Sequence, residues 1–257
     1  MSVILDARSL TKTFGAVTAA NEVSAAIDKD SVVGLIGTNG AGKTTFINIV
    51  TGYLKPDRGS IAYEGRDITR LPPRDITRLG ICRSFQIPQL YGSLSVFDNM
   101  LVGIGIVLRN AGLAGYFSRG AALVPGYGEP AEAVAERILG RFGLLEYRGR
   151  NAQALPGGAR KLLDIALAMV ARPRILLLDE PTSGVSAQEK FGIMQMVLEA
   201  VRAEGATVLF VEHDMEVVSR FAQRVLAFYD GRIIADAPPR DALAHPEVKR
   251  YVVGSRA

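Results

Sequence analysis

A run of eight residues, GTNGAGKT from Gly37 to Thr44, has the residue types and spacing of a phosphate-binding loop. Phosphate oxygens need several backbone N–H donors at close range, and the glycines of the motif keep side chains out of that space. We expect Lys43 to bring positive charge to the β- and γ-phosphates and the Thr44 hydroxyl to ligate Mg²⁺. An apolar strand precedes the loop and a helix follows it, which predicts nucleotide binding and disfavours a chance glycine-rich turn. The predicted nucleotide-binding residues of this segment are Gly37, Asn39, Gly40, Ala41, Gly42, Lys43, Thr44 and Thr45.

Two carboxylates, Asp179 and Glu180, follow the apolar run from Ile175 to Leu178. In an open α/β sheet, ligands bind at the edge formed by the carboxyl ends of the strands. We expect Asp179 to hold Mg²⁺ through water and Glu180 to polarise the attacking water as a general base. A solvated acidic turn would give the same pattern in isolation, but the phosphate loop upstream favours the catalytic interpretation.

His213 follows another apolar strand, in VLFVEHD, and is one of only two histidines. A lone histidine after a strand is more often structural. Here it is predicted to lie at the same sheet edge as Glu180, where its ring can contact the γ-phosphate. The predicted catalytic residues are therefore Lys43, Glu180 and His213, whereas His245 near the C-terminus is interpreted as structural.

The hydrophobic pattern supplies the strands and helices that would position these residues. Strand patterns cover residues 5–10, 23–27, 31–36, 60–63, 175–178, 207–211 and 224–229. Helical patterns cover residues 44–51, 131–142, 161–171, 188–204 and 215–221. The alternation of strands and helices after residue 155 implies a mostly parallel sheet. Helical patterns dominate between residues 69 and 155, and the segment 112–130, rich in Gly, Ala and Pro, is predicted to form a loop or an insert.

Composition and charge are those of an ordinary globular chain. Of 257 residues, 48% are hydrophobic and 22% are charged, and the formal net charge is +4. The basic residues are scattered, which gives no support to nucleic-acid binding. The single cysteine, Cys82, cannot form an internal disulfide and fits a reducing compartment. The N-terminus does not have the pattern of a secretory signal, and the longest apolar candidate, Met100 to Leu108, is too short to cross a bilayer, so any membrane role is expected to be peripheral.

Together these motifs resemble those of the ABC-transporter ATPase family over almost the whole chain. GTNGAGKTT resembles the family's Walker A motif, DEPTSG its Walker B motif with the catalytic glutamate, and His213 its switch histidine. The resemblance implies that Gln86, in RSFQ, is the Q-loop glutamine that joins Thr44 and Asp179 as a Mg²⁺ ligand and senses the membrane subunit. It also implies that Phe14 stacks on adenine with Val17 beside it, and core packing of Phe14 is the alternative.

The stretch LPGGA resembles the family signature, whose general form is L-S-G-G-Q. Its residues, which the resemblance implies cap a partner's ATP, are Leu155, Pro156, Gly157, Gly158 and Ala159. Pro156 removes the serine hydroxyl and Ala159 removes a polar side chain, although the two glycines still offer backbone donors at a helix start. Ser186 stands where the family usually has the D-loop aspartate. These departures predict a weaker contact with ATP across the dimer and, in a heterodimer, two unequal ATP sites.

The resemblance implies an α/β fold with a P-loop NTPase core, a mostly parallel sheet, an N-terminal antiparallel β-subdomain and an inserted α-helical subdomain. Residues 1–80 and 156–257 are assigned to the core and β-subdomain, and residues 81–155 to the helical subdomain. Within the family, RSFQIPQLYGSLSVFDNMLVG and HPEVKRYVVG resemble the branched-chain amino acid importer ATPases of the LivG type. That subgroup implies ATP and Mg²⁺ as ligands and a peripheral location at the cytoplasmic face of the bacterial inner membrane. It implies as partners a second ATPase subunit, with a heterodimer favoured over a homodimer, integral-membrane permease subunits and, indirectly, a solute-binding protein.

Three alternatives remain open. Lipopolysaccharide-export ATPases resemble this subgroup closely. ABC proteins of translation or chromosomes usually carry tandem ATPase units or long coiled coils, whereas this chain has one Walker A motif and no sustained heptads. A degenerate module that binds ATP for regulation is favoured by Pro156, Ala159 and Ser186 and disfavoured by Glu180 and His213. The transported solute is not identified by the sequence, since selectivity would lie in other chains.

Overall fold

The structure, a computed structural model, describes residues 2–84, 90–110 and 123–254. Its first sheet is antiparallel, with the strand order β2-β1-β4-β5. These strands are β1 (Val3–Phe14), β2 (Val17–Asp28), β4 (Arg58–Tyr63) and β5 (Arg66–Asp67). The two long strands β1 and β2 form a hairpin whose turn contains Gly15 at a φ of 58°, a conformation that glycine adopts without strain.

The second sheet has six strands in the order β10-β9-β3-β8-β7-β6, parallel except for β10. These strands are β3 (Val32–Gly37), β6 (Ile81–Arg83), β7 (Ile175–Asp179), β8 (Thr207–Val211), β9 (Arg224–Tyr229) and β10 (Arg232–Ala237). Every residue of β3, β7 and β8 is buried, as expected for parallel strands covered on both faces. In register, Val211 of β8 pairs with Leu35 of β3 and with Asp179 of β7, so these three strands end at one edge.

Helices cover both faces of this sheet. They are α1 (Lys43–Val50), α2 (Pro73–Arg78), α3 (Val96–Asn110), α4 (Ala131–Arg141), α5 (Gly157–Met169), α6 (Lys190–Ala203), α7 (Met215–Phe221), α8 (Pro239–Ala244) and α9 (Pro246–Val248), followed by a π-helical turn (Lys249–Val253). Successive residues of β7 point to opposite faces. Leu177 therefore belongs to a hydrophobic cluster with α1 and the first sheet, and Leu178 to a cluster with α3, α4 and α5.

The predicted α/β fold is confirmed. Each predicted strand overlaps an observed one, and all but the strand at 31–36, which begins one residue before β3, lie entirely within it. No bounds were predicted for the strands β5, β6 and β10 or for the helices α2, α3, α8 and α9. The division at residue 81 assigns Ile81–Arg83 to the helical subdomain, but the structure places them in the six-stranded sheet as β6, paired with β7. Helix α5 begins at Gly157, four residues before the predicted start. Most of the 112–130 segment lies outside the described residues, and no helix among the described residues is long and apolar enough to cross a membrane.

Candidate active site

The phosphate loop joins the end of β3 to the start of α1. Gly42 has a φ of 108°, and a Cβ at this position would lie 2.7 Å from the Ala19 carbonyl oxygen, so the backbone requires glycine. The first hydrogen bond of α1 runs from the Phe46 N–H to the Gly42 oxygen, at 2.9 Å. The N–H groups before Phe46 have no partner within the helix and are available to an anion. Asn39, Gly40 and Thr44 are exposed around this opening.

Lys43 lies inside the loop, and only 5% of its surface is exposed. Its Nζ donates hydrogen bonds to the carbonyl oxygens of Gly37 (2.7 Å) and Thr38 (2.9 Å). Burial lowers the pKa of Lys43, and the nearby carboxylates of Glu180 and Asp179 oppose that shift. The positive charge that a phosphate would meet is therefore held in place by the protein itself.

Glu180 is the first residue beyond β7 and has a φ of 48°, in the left-handed region that non-glycine residues rarely adopt. Such backbone strain costs about 1–3 kcal/mol and is characteristic of functional sites. The Glu180 N–H donates to the Val211 oxygen at 3.1 Å, and Glu180 Oε1 lies 3.1 Å from Nε2 of His213. The two predicted catalytic side chains are thus in contact.

A buried carboxylate steadies the turn that follows Glu180. Glu212 Oε1 accepts hydrogen bonds from the Thr182 N–H (2.9 Å) and the Thr182 hydroxyl (2.6 Å). Since Glu212 directly precedes His213, this contact links the turn after β7 to the segment after β8. The sequence analysis did not identify Glu212 or this link.

Asp179 ends β7 and is 5% exposed. Its Oδ2 accepts a hydrogen bond from Nη2 of Arg83, at the end of β6, at 2.5 Å. Its backbone oxygen accepts from Nζ of Lys161 in α5 at 2.9 Å. Burial lowers the pKa of Lys161, and the carboxylates of Asp164 and Asp179 are the foremost groups that oppose this shift. No motif in the sequence assigns a function to Arg83 or Lys161, and the only available signal was the position of Arg83 three residues before the predicted Q-loop glutamine, Gln86.

These residues suit a magnesium ion that is bound together with phosphate. Among the described residues, no group of three or more His, Cys, Asp and Glu side chains is placed to hold a metal. Mg²⁺ is usually held by one or two carboxylates with phosphate oxygens and water, and Asp179 and Thr44 offer a carboxylate and a hydroxyl oxygen at this sheet edge. Gln86, the third predicted ligand, lies outside the described residues.

The hairpin end of β1 and β2 presents an apolar surface beside the loop. Phe14 is paired with Val17 in register, and these residues are 48% and 65% exposed. Core packing, the alternative interpretation of Phe14, is therefore wrong. Val17 lies on the same strand as Ala19, whose carbonyl oxygen lies next to Gly42 of the phosphate loop. An aromatic ring and a branched side chain exposed at this point can receive a flat apolar base.

The signature residues are arranged at the N-terminus of α5. Pro156 takes the N-cap position without a side-chain hydrogen bond, and Gly157 is the first helical residue. No hydrogen bond between described residues joins residues 155–159 to the phosphate loop of the same chain. The helix reaches the catalytic edge through Lys161 instead, and Ser186 bonds Glu189 through its hydroxyl at 2.5 Å in the turn before α6.

Comparisons with known proteins agree with this geometry. A family model described as ABC transporter matches residues 20–183. The chain is 35% identical over 257 residues to the probable branched-chain amino acid transport ATP-binding protein LivG of Archaeoglobus fulgidus, which covers 98% of this chain and 96% of that protein. It is 34% identical over 254 residues to the high-affinity branched-chain amino acid transport ATP-binding protein LivG of Escherichia coli strain K12, with 98% of each covered.

Solved structures give the same result. The ADP conformation of MJ1267, an ATP-binding cassette of an ABC transporter, is similar with a TM-score of 0.81 and 32% identity, covering 97% of this chain and 98% of that one. A nucleotide-free ATP-binding cassette from an ABC transporter is similar with a TM-score of 0.81 and 31% identity, covering 96% and 98%.

Proposed function

The chain belongs to the ABC transporter family as one of its ATP-hydrolysing subunits, and we propose that it powers uptake of branched-chain amino acids, or a related small solute, through separate permease subunits. The observation that carries this proposal is the Glu180–His213 contact of 3.1 Å beside the buried ammonium of Lys43. The solute assignment is supported by the names of the LivG relatives.

In the proposed reaction, ATP lies with its phosphates in the loop from Gly37 to Thr44 and its adenine against Phe14 and Val17. Glu180 accepts a proton from the attacking water, the water oxygen bonds to the γ-phosphorus, and ADP leaves. His213 orients the Glu180 carboxylate and contacts the γ-phosphate. Lys43 stabilises the charge that develops on the transferred group, so catalysis rests on positioning and electrostatics without a covalent intermediate. Asp179, Thr44 and Gln86 would hold Mg²⁺, which would offset the negative charge of the β- and γ-phosphates.

We propose that the active unit is a head-to-tail dimer of ATPase subunits, with a heterodimer favoured over a homodimer. In that arrangement Leu155, Pro156, Gly157, Gly158 and Ala159 cap ATP bound to the partner. The proposed division is into a core (residues 1–80 and 156–257) and a helical subdomain (residues 81–155, of which β6 pairs with the sheet of the core), and closure would bring the helical subdomain inward. This proposal is supported by the hydrogen-bond pattern of the described residues, in which the signature makes no hydrogen bond to the phosphate loop of its own chain.

A groove of about 560 Å³ between α1, β6, α3 and α5 is the proposed docking surface for a permease subunit. Its rim carries three exposed apolar side chains: Tyr53 (56%), Tyr91 (56%) and Ile106 (43%). An exposed apolar cluster of this kind commonly marks an interaction site. Arg83 and Leu90, which lie on either side of residues 85–89, line the groove, so a docked helix would contact the chain before and after that segment. This docking would place the protein at the cytoplasmic face of the inner membrane as a peripheral subunit.

The test is size-exclusion chromatography of Glu180→Gln with and without ATP and Mg²⁺, beside ATPase assays of the wild type. We expect the variant to form an ATP-dependent dimer and to lose hydrolysis by a factor of about 10²–10⁴, the range for removal of a general base. Glu146→Gln, at an exposed carboxylate outside the site, is the matched control and should hydrolyse ATP like the wild type. A Glu180→Gln variant that retains hydrolysis would refute the assigned base. If Glu180→Gln stays monomeric, the test is repeated with the co-expressed partner ATPase and permease.

A regulatory module that binds ATP without turnover is the second candidate, because Pro156, Ala159 and Ser186 depart from the family pattern. It predicts ATP binding by the wild type with no hydrolysis, alone or in the assembled complex. Co-purification with small-solute permease subunits, as opposed to export-type subunits, would separate import from export.

A further inference from the structure

Arg83 occupies a position between the two proposed sites of this chain. It ends β6 and pairs in register with Leu177, two residues before Asp179 on the neighbouring strand β7. Its guanidinium donates from Nη2 to Asp179 Oδ2 and from Nη1 to Asn48 Oδ1 of α1, both at 2.5 Å. The Arg83 and Asp179 side chains are 10% and 7% exposed, so the pair is almost fully removed from water.

The same arginine lines the groove proposed for the permease. Its neighbours Ile81 and Cys82 line that groove too, opposite Val107 of α3 and Leu167 of α5. Arg83 therefore contacts the carboxylate proposed for the metal on one side and forms part of the docking wall on the other. The motif analysis did not assign a function to this residue.

Two cations that bind the same buried carboxylate weaken each other's binding. A guanidinium bound to Asp179 satisfies the carboxylate and compensates its charge, and an opposite charge within hydrogen-bond distance typically shifts the affinity of a carboxylate for a competing cation by tenfold or more. Binding of a divalent ion at Asp179 then opposes the Arg83 contact, and weakening of that contact favours the ion.

We propose, resting on the function proposed above, that Arg83 is a positioning residue that couples the metal site to the permease groove. In the nucleotide-free subunit Arg83 holds Asp179. When nucleotide and metal bind, the Arg83–Asp179 contact weakens and Arg83 moves within the groove wall. By linkage, a permease segment that holds Arg83 in the groove raises the affinity for the metal–nucleotide complex, and the metal–nucleotide complex strengthens docking by the same factor.

The metal arm of the test uses binding rather than turnover. Fluorescent N-methylanthraniloyl-ADP is titrated at a series of Mg²⁺ concentrations against the wild type, Arg83→Met and Arg83→Lys. We expect the Mg²⁺ concentration for half-maximal binding to fall about tenfold in Arg83→Met. It should fall by a smaller factor in Arg83→Lys, which keeps the positive charge but loses the hydrogen bond to Asn48. Arg78→Met, an exposed arginine of α2, is the matched control. An unchanged or raised Mg²⁺ requirement in both Arg83 variants would overturn the proposal.

The groove arm uses Cys82, the single cysteine of the sequence. Burial raises the pKa of its thiol to about 12, so its modification by a maleimide at pH 8 is slow and sensitive to movement of the groove wall. We expect Mg²⁺–ADP to change this rate at least several-fold in the wild type and to leave it nearly unchanged in Arg83→Met. A rate that responds equally in both proteins would show that the groove is coupled by another route.

Failure of this inference is distinguishable from failure of the proposed function. A wild type that binds no nucleotide refutes the function itself. A wild type that binds normally, with Arg83 variants of unchanged Mg²⁺ requirement, refutes only the role of Arg83. If Arg83→Met does not fold, because removing one partner of a buried pair leaves an uncompensated charge, Arg83→Lys carries the test alone.

Discussion

At the scale of residues, the site is built from charges that the protein fixes before any ligand is present. Lys43 is held by two carbonyl oxygens of its own loop, Lys161 by the Asp179 carbonyl, and the Glu180 carboxylate by His213. Preorganised groups of this kind stabilise a transition state without reorganising at the moment of reaction. The strained φ of Glu180 is consistent with this, since the contacts around it must hold a conformation that the isolated residue disfavours.

Phe14 tests the adenine site. Removing its exposed ring in Phe14→Ala should raise the Kd for ATP by about 2- to 12-fold, because aromatic stacking contributes about 0.5–1.5 kcal/mol. The Kd for inorganic triphosphate, which lacks the base, should not change. Equilibrium titration of both ligands gives the answer, with Tyr53→Ala, another exposed aromatic residue, as the control. Equal weakening for ATP and triphosphate would place Phe14 outside the base site.

The residues that sequence could predict are those that belong to one local pattern. Lys43 lies in a contiguous loop motif, and Asp179, Glu180 and His213 each follow an apolar strand. Arg83, Lys161 and Glu212 could not be identified in this way, because their roles depend on partners far away in the chain: Arg83 and Asp179 are 96 residues apart and Thr182 and Glu212 are 30 apart. Such contacts follow from strand order, which a single sequence does not specify.

At the scale of elements, the segments with a clear apolar pattern were predictable, and several segments without one were not. Strands β7 and β8 each contain four consecutive apolar residues. The predicted bounds of α7 agree with the structure because Asp214 caps the helix by accepting hydrogen bonds from the Glu216 and Val217 N–H groups. Strand β6 has only three residues, too few for a hydrophobic period, and its stability comes from pairing with β7. Strand β6, which was not predicted, is the element that positions Arg83.

Tyr127 tests how the segment before α4 is anchored. Its hydroxyl donates to the Met169 oxygen at the end of α5, at 3.0 Å, and its ring lies 4.7 Å from the Arg137 guanidinium and 5.4 Å from that of Arg172. Burial, followed by the charge of Glu204, raises the pKa of Tyr127 to about 12. Tyr127→Phe should lower the free energy of unfolding at pH 8 by about 1 kcal/mol, since one buried hydrogen bond is lost.

The pH dependence of that difference has a defined sign. The folded-state pKa is raised above the unfolded value of about 10, so the contribution of the neutral phenol is fully present below about pH 10 and is lost as pH rises through about 12. The stability gap between wild type and Tyr127→Phe should therefore narrow from pH 10 upwards, as measured by urea unfolding. Tyr147→Phe serves as the control, and a gap that widens with pH would contradict the assignment.

At the scale of the whole molecule, the proposed function requires three surfaces to act together: the sheet edge at Asp179 and Glu180, the signature at the start of α5 and the groove. Helix α5 is common to all three, since it begins at Gly157, reaches Asp179 through Lys161 and lines the groove through Leu167. A rigid-body movement of α5 would therefore displace residues at each of these surfaces. The departures in the signature matter because they lie at the end of this shared helix.

The two departures in the signature differ in how they can be reversed. Ala159 is only 9% exposed and belongs to the hydrophobic cluster that Leu178 forms with α3, α4 and α5. A glutamine at this position would therefore have to displace core side chains. Pro156 is exposed and caps α5 without a side-chain hydrogen bond. A serine at residue 156 can accept from the first N–H groups of the helix or face a partner's ATP. Pro156→Ser is therefore the informative reversal.

Pro156→Ser should raise ATP hydrolysis by the assembled dimer if weak capping of the partner's ATP limits closure, and in the Glu180→Gln background it should lower the ATP concentration needed for dimerisation. The added N-cap would also stabilise α5 by about 0.5–2 kcal/mol. A control must therefore separate the effect of a more stable helix from the effect of the serine on closure of the dimer. Pro130→Ser provides that control, because Pro130 caps α4 in the same way, also without a side-chain hydrogen bond, and lies outside the signature. Chromatography across an ATP series, with thermal unfolding of all variants, distinguishes the two effects. If both variants gain the same stability but only Pro156→Ser dimerises at a lower ATP concentration, the signature limits closure of the dimer. If the ATP concentration needed for dimerisation changes in neither variant, Pro156 does not limit closure.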